Sequence, residues 1–182
     1  MKIVYQGISG SYSEACAQEN YPGIETIACK TFDECFEKAS RDNNIKALIP
    51  ESNKTTGNIG VEYLIFRYKL NIYAEHFFPI NHHLLALKGA KFEDITEIFS
   101  HAQALSQSSS FIKEYNFNEN VRADTAGSAK FVSESKSKNN AAIASELSSK
   151  IYDLNILKRN IQDEKDNTTR FILFGKEIFE PE

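Results

Sequence analysis

Long apolar runs are missing from this sequence, and so is any excess of positive charge. No stretch of the 182 residues reaches the roughly 20 consecutive apolar positions of a membrane span. Residues 1–7 carry only a short apolar run before Gly7, without the apolar core of a signal peptide. A soluble cytoplasmic protein is expected, with no membrane partner. The net charge is −4, from 21 basic and 25 acidic residues. A nucleic-acid wrapper or a basic membrane-surface binder needs clustered Lys and Arg, so neither class fits. A local positive pocket for a small anion is still compatible with that balance. Cysteine is sparse: Cys16, Cys29 and Cys35 show no CxxC pair and no Cys/His array, so no metal site is expected. They read as reduced structural thiols of a cytosolic protein. Internal repeats, low-complexity runs and Gly/Ser/Pro-rich linkers are absent as well.

What is present is a globular balance, 41% apolar and 25% charged. A 20.6 kDa chain amounts to about one domain and buries roughly two-thirds of its unfolded surface, enough to fold without a disulfide or metal. Short apolar runs alternate with helical stripes. Strands are predicted at residues 3–5, 24–28, 45–49, 72–78, 80–87, 98–100, 141–144 and 168–174, with a further one at 156–157. Pro50 closes the third. Helices are predicted from near Ser11 to Asn20, along Phe32, Cys35, Phe36 and Ala39, along Val61, Leu64, Ile65 and Tyr68, in one stripe from Ala104 to Tyr115, around Ala126, Ala129 and Val132, and up to about Tyr152. Such alternation specifies an α/β fold with mostly parallel sheets. Returns of the chain near 78–80 and 155–160 suggest two lobes with a cleft between them, lobe 1 about 1–77 plus 160–182 and lobe 2 about 78–159.

Four segments could carry chemistry. Gly7-Ile8-Ser9-Gly10-Ser11-Tyr12-Ser13 joins a strand to a helix, where hydroxyls and backbone amides suit an anionic oxygen. It is neither a Walker pattern nor a dinucleotide fingerprint, and Ser9 or Ser11 as a plain N-cap is the simpler explanation. Residues 50–58 follow a strand, where α/β folds bind ligands, and Lys54 adds charge attraction for a carboxylate. A solvated turn accounts for them too. In Ser100-His101-Ala102-Gln103-Ala104-Leu105-Ser106-Gln107, Ser100 and Gln107 are candidate donors, and His101 is a proton shuttle or a structural hydrogen-bonder. His82 and His83 lie in an apolar strand, on alternate faces, so that only one points inward; both read as mainly structural. In the last strand, alternation puts Thr169 and Phe171 on one face and Thr168 and Arg170 on the other. Simple β-propensity explains the threonines, and Arg170 calls for a carboxylate partner.

Taken in order, these segments resemble the prephenate dehydratase family over nearly the whole chain. The matching elements are Gly7-x-x-Gly10-Ser11-Tyr12-Ser13, residues 74–80, Ser100-His101-Ala102-Gln103-Ala104-Leu105, residues 124–129, residues 141–144, and Ile161-Gln162-Asp163 followed by Asn167-Thr168-Thr169-Arg170-Phe171. The resemblance implies a two-lobed fold like the type 2 periplasmic binding proteins, with the ligand in the cleft. It implies conversion of prephenate to phenylpyruvate in phenylalanine biosynthesis, with no cofactor or metal, by a homodimer. By position, Thr169 matches the family's catalytic threonine, and Asn53 and Gln107 are assigned with it to catalysis. Gly10, Ser11, Ser13, Lys54, Ser100, His101 and Phe171 are assigned to substrate binding.

Two departures stand out. The family reads Pro-Ile-Glu-Asn-Ser-x-x-Gly where this chain has Glu51, Ser52, Asn53 and Lys54 between Pro50 and Gly57, so a carboxylate and a hydroxyl are lost or displaced. The sequence ends at Glu182, so a catalytic core without the family's ACT regulatory domain is expected. In the expected mechanism Thr169 donates a hydrogen bond to the departing ring hydroxyl, and amides near Gly10 to Ser13 and the Asn53-Lys54 loop hold the carboxylates. Arg170, on the opposite face, braces the strand through an ion pair. The alternatives are an arogenate dehydratase, in which acidic Glu51 would favour an amine, a prephenate decarboxylase, and a non-enzymatic small-anion binding or sensor module.

Overall fold

The computed structural model describes residues 1–176. Its elements are β1 (Lys2–Gln6), α1 (Tyr12–Asn20), β2 (Glu25–Cys29), α2 (Phe32–Arg41), β3 (Ile45–Asn53), β4 (Gly57–Asn58), α3 (Glu62–Tyr68), β5 (Asn71–Pro79), β6 (His83–Ala86), a 3₁₀ turn (Phe92–Asp94), β7 (Glu97–His101), α4 (Ala102–Ser106), α5 (Ser109–Glu114), β8 (Asn118–Arg122), α6 (Thr125–Ser135), β9 (Asn140–Ala144), α7 (Glu146–Ile151), β10 (Asn155–Lys158) and β11 (Thr168–Gly175). They form two compact units. Among the described residues, one holds 1–8, 13–79 and 168–176, the other 9–12 and 80–167. The second return of the chain therefore comes at 168, later than the 160 read from the sequence.

The first unit is built on one sheet in the order β2-β1-β3-β11-β5, with β4 beside β3. β1 runs parallel to β2 and β3, while β11 runs antiparallel to both β3 and β5. The sheet is therefore mixed, where strand–helix alternation predicts mostly parallel pairing. The helical crossovers through α1 and α2 enforce parallel neighbours. β11 arrives only after the chain has passed through the second unit, so no crossover sets its direction. Val4, Ala47, Ile49, Ile172 and Phe174 line the face that packs with Cys35, Phe36 and Ala39 of α2 and Leu64 of α3. α2 is secured at both ends: the Thr31 hydroxyl accepts from the Glu34 N–H at 3.1 Å, and Lys38 and Arg41 sit in the last turn.

The second unit repeats the pattern in a sheet ordered β10-β6-β9-β7-β8. Here β7 is parallel to β8 and β9, and β6 is antiparallel to β9 and β10. Alternation gives it two buried faces. Leu84, Ala86, Ala141, Ile143 and Ile98 pack with Leu105 and Ile112, whereas Leu85, Ala142 and Ala144 pack with Ala129 and Val132 of α6. Because both faces are covered, His82 and His83 are both buried, against the expectation that only one points inward. β8 has no counterpart in the sequence reading. Its residues Asn-Glu-Asn-Val-Arg are polar, and it is an edge strand held by β7 alone. The stripe from 104 to 115 is two helices, not one. The break falls at Gln107 and Ser108, where Asp163 intervenes: its N–H donates to the Gln107 carbonyl at 2.7 Å, and its carboxylate accepts from the Ser110 N–H at 3.2 Å.

Candidate active site

Pro50 does not end β3. The strand continues to Asn53, and its register against β11 shifts so that Arg170 faces Ser52 while Phe171 faces Pro50. Glu51 is the extra residue of a β-bulge. A proline has no N–H to give the ladder, and a bulge accommodates that loss while re-aiming the side chains beyond it. Beyond the bulge, Asn53 stands directly opposite Thr169. Both are 6% exposed.

The Asn53 amide is oriented by unambiguous partners. Its Oδ1 accepts from the Thr55 N–H at 3.0 Å and the Thr55 hydroxyl at 2.7 Å. Its Nδ2 donates to the Thr168 carbonyl at 3.3 Å and to Thr169 Oγ1 at 2.8 Å. An N–H and a C=O cannot exchange roles, so the amide has one allowed orientation. Thr169 Oγ1 is consequently an acceptor from Asn53, and its own proton has no acceptor among the described residues. A buried hydroxyl held on its lone pair, with the proton directed away, is a pre-aimed hydrogen-bond donor.

Arg170 lies on the other face of β11. Its guanidinium reaches Glu51 at 3.0 Å and Glu75 at 2.7 Å, the ion pairing expected of it. Glu51 also accepts from the Ser52 hydroxyl at 2.7 Å. Lys54 is exposed at the start of the turn, and its backbone N–H donates to the Thr168 carbonyl at 2.9 Å.

In the second unit the glycine loop is pinned by α7 and the turn before it. The Gly10 carbonyl accepts from the Ser145 hydroxyl at 2.6 Å and the Ser148 hydroxyl at 2.8 Å, and the Ser9 carbonyl accepts from Tyr152 at 2.6 Å. Gly10 has φ +92°, and a Cβ there would stand 2.6 Å from Ser148 Oγ. The position therefore needs glycine twice over. Ser11 precedes α1 directly and is half-buried. Ser13, counted with the first unit, is buried in the first turn of α1.

Gln107 sits at the α4–α5 break. Its side-chain Oε1 lies 2.8 Å from His82 Nε2 and accepts from Asn167 Nδ2 at 3.2 Å. His82 Nδ1 in turn lies 2.7 Å from the Tyr12 hydroxyl. Burial holds the His82 pKa below the ordinary histidine value and pushes the Tyr12 phenol above its own, so both are neutral near pH 7.

Three residues expected to contact substrate make contacts within the protein. Ser100 is fully buried and its hydroxyl donates to the Ile143 carbonyl at 2.6 Å, tying β7 to β9. His101 is exposed, and its Nδ1 caps α4 by accepting from the Gln103 N–H at 3.2 Å. Phe171 is buried edge-on to Phe78, with ring centroids 6.3 Å apart. The sequence does not single out the Tyr12–His82 pair. Its only signal was a polar residue beside an apolar strand, which periodicity assigns to structure. Among the described residues, no group of three or more His, Cys, Asp or Glu is placed to hold a metal ion, and no helix is long and apolar enough to cross a membrane.

A family model described as prephenate dehydratase matches residues 3–178. The chain belongs to the prephenate dehydratase family. It is 37% identical over 182 residues to arogenate dehydratase 2 of Petunia hybrida, covering all of this chain and 46% of that protein. It is also 37% identical to arogenate dehydratase/prephenate dehydratase 2, chloroplastic, of Arabidopsis thaliana, again over the whole chain and 48% of that protein. The chain thus spans about half the length of the curated relatives it matches. Among solved structures, prephenate dehydratase from Arthrobacter aurescens, in complex with L-Phe, superposes with TM-score 0.88 at 27% identity, over 100% of this chain and 62% of that one. GqqA, described as a novel type of quorum quenching acylase, superposes with TM-score 0.90 at 31% identity, over 99% of this chain and 66% of that one.

Proposed function

We propose that this chain is a dehydratase that converts prephenate to phenylpyruvate. The observation that carries the reading is the Thr169 hydroxyl oxygen accepting from Asn53 Nδ2 at 2.8 Å, which leaves its own proton to be donated. Prephenate is a dianion whose ring regains aromaticity when the ring carboxylate leaves as carbon dioxide and the ring hydroxyl leaves with one added proton as water. The thermodynamic drive lies in the substrate, so the protein has only to orient it and stabilise the charge that develops on the departing oxygen. Thr169 donates to that oxygen. Its hydroxyl is too weak an acid to surrender the proton outright, so solvent supplies the proton that completes the water. Lys54, in the turn that follows β3, adds attraction for the dianion. No cofactor takes part. A cytoplasmic homodimer belongs to the same reading, and three free, buried cysteines suit a reducing compartment.

Arogenate is the second reading, because several relatives carry that name. Arogenate differs by an amine in place of the keto group, and a site selecting it would present an unpaired carboxylate. Glu51, the candidate raised by the altered loop, is already paired with Arg170 at 3.0 Å, which favours prephenate. Incubating the protein with each substrate and measuring phenylpyruvate and phenylalanine tests the proposal. Phenylpyruvate from prephenate, at the higher kcat/KM of the two, is the expected result. Preferred turnover of arogenate, or prephenate binding without product, overturns it.

A further inference from the structure

The Thr169 hydroxyl has a second cross-strand neighbour, on the side away from Asn53. β11 lies between β3 and β5, and Thr169 stands opposite Asn53 of β3 and opposite Phe78 of β5. Both ladders are regular at this point. Their register shifts fall further along β11, between Arg170 and Phe171 against β3 and between Leu173 and Phe174 against β5. Residues directly opposite in an antiparallel pair point to the same face, with Cβ atoms about 4.5–5.5 Å apart. Asn53, Thr169 and Phe78 therefore form one row across β3, β11 and β5 of the first unit. Two contacts place all three on one face. Asn53 Nδ2 reaches Thr169 Oγ1 at 2.8 Å, and the Phe78 ring lies edge-on to that of Phe171, the next same-face residue of β11, at 6.3 Å. The same alternation leaves Phe77, opposite Arg170, 66% exposed and Phe78 only 9% exposed.

Each neighbour of the hydroxyl lacks an acceptor. Asn53 presents its donor end to Thr169, because its oxygen faces the Thr55 N–H and hydroxyl. Phe78 and Phe171 present rings that carry no lone pair. Across a sheet, a threonine readily pairs with another threonine through their hydroxyls. An oxygen on the residue at position 78 would therefore take the Thr169 proton before a substrate could.

We propose that Phe78 is a positioning residue of the reaction: opposite Thr169, its ring withholds an acceptor from the hydroxyl, so that the proton is kept for the substrate oxygen. This rests on the reading of Thr169 as the hydrogen-bond donor of a dehydratase.

Two replacements of equal shape isolate the effect. Phe78→Val and Phe78→Thr leave the same cavity and suit a strand alike, but only the second brings a hydroxyl that can accept. Thr169 Oγ1 already accepts from Asn53, so the introduced hydroxyl meets the Thr169 proton. With prephenate, Phe78→Thr is expected to show a kcat about 10-fold below that of Phe78→Val, at a KM within about 2-fold, the effect of one net hydrogen bond that must be given up. With Thr169→Val also present, the two replacements should give the same kcat. A side chain that merely fills the core would give equal kcat for the two replacements, or a gap that survives Thr169→Val, and either result overturns the proposal. Should Phe78→Thr fail to fold, Phe78→Met and Phe78→Gln keep more of the buried volume and are compared in the same way. Thermal unfolding of the same variants gives a reading that needs no activity. The midpoint gap between Phe78→Val and Phe78→Thr should be smaller with Thr169 than with Thr169→Val, because only the threonine has a proton to give. Equal gaps overturn the proposal. If the unmodified chain turns over neither prephenate nor arogenate, the dehydratase reading fails by itself, and the unfolding comparison still decides whether position 78 addresses the Thr169 hydroxyl.

Discussion

Asn53 joins two roles in one side chain. Its oxygen closes the turn through Thr55, and its nitrogen fixes the lone pair of Thr169. Asn53→Ala should therefore lower kcat by about 10²-fold, because the hydroxyl is no longer aimed. It should also cost about 1–2 kcal/mol of stability, because the Thr55 N–H loses its acceptor. Arg170 makes the contrasting case. Its side chain is 36% exposed and bridges Glu51 and Glu75 on the face away from Thr169. Arg170→Gln should cost about 1 kcal/mol or less in denaturant unfolding and leave turnover nearly intact. Both outcomes follow from strand alternation, which put Thr169 and Arg170 on opposite faces in the sequence. Their partners were not legible there. Asn53 reaches Thr169 only because a bulge carries β3 past Pro50, and no local pattern announces a bulge that long-range pairing creates.

At the scale of elements, the tests fall at the glycine loop and the helix break. Gly10→Ala would place a Cβ at φ +92° and 2.6 Å from Ser148 Oγ. It should destabilise the protein by about 1–3 kcal/mol, and Ser148→Ala should recover only part of that, since the Ser148 Cα still stands 3.0 Å from the added Cβ and the backbone strain remains. Ser108, which immediately precedes α5, is fully buried, and its hydroxyl has no partner among the described residues. Ser108→Ala should leave thermal stability unchanged or raise it by about 1 kcal/mol, since an unsatisfied buried hydroxyl is removed. The sequence announced most elements because their apolar residues repeat at helix or strand period. It did not announce β8, whose pairing with β7 comes from backbone hydrogen bonds rather than burial. Nor did it announce the break at Gln107, which depends on Asp163, 56 residues further along the chain, as the numbering shows.

For the molecule as a whole, burial of charge-bearing groups sets the response to pH. His76, His82 and His83 are all held below the ordinary histidine pKa, with burial the leading cause. Below about pH 6.5 the unfolded chain binds protons at these sites that the folded chain resists, so stability falls as pH falls through that window. The thermal midpoint should drop between about pH 7.5 and pH 5.5, before the carboxylates titrate, and the drop should shrink in His82→Gln. A midpoint that rises on acidification would contradict the burial of these rings. The class of fold was evident in strand–helix alternation. Its mixed sheets were not, because the direction of β11 depends on a passage through the second unit that no short stretch encodes.

The most direct measurement is made on one side chain. Thr169→Val keeps the shape of the strand position and removes the only side-chain proton that Thr169 has to donate. With prephenate as substrate, phenylpyruvate formation should fall by about 10²–10³-fold in kcat, far more than the loss of about 1–3 kcal/mol of stability from leaving Asn53 Nδ2 without its Thr169 acceptor, and the protein should stay folded. Undiminished phenylpyruvate formation by a folded Thr169→Val protein would contradict the account.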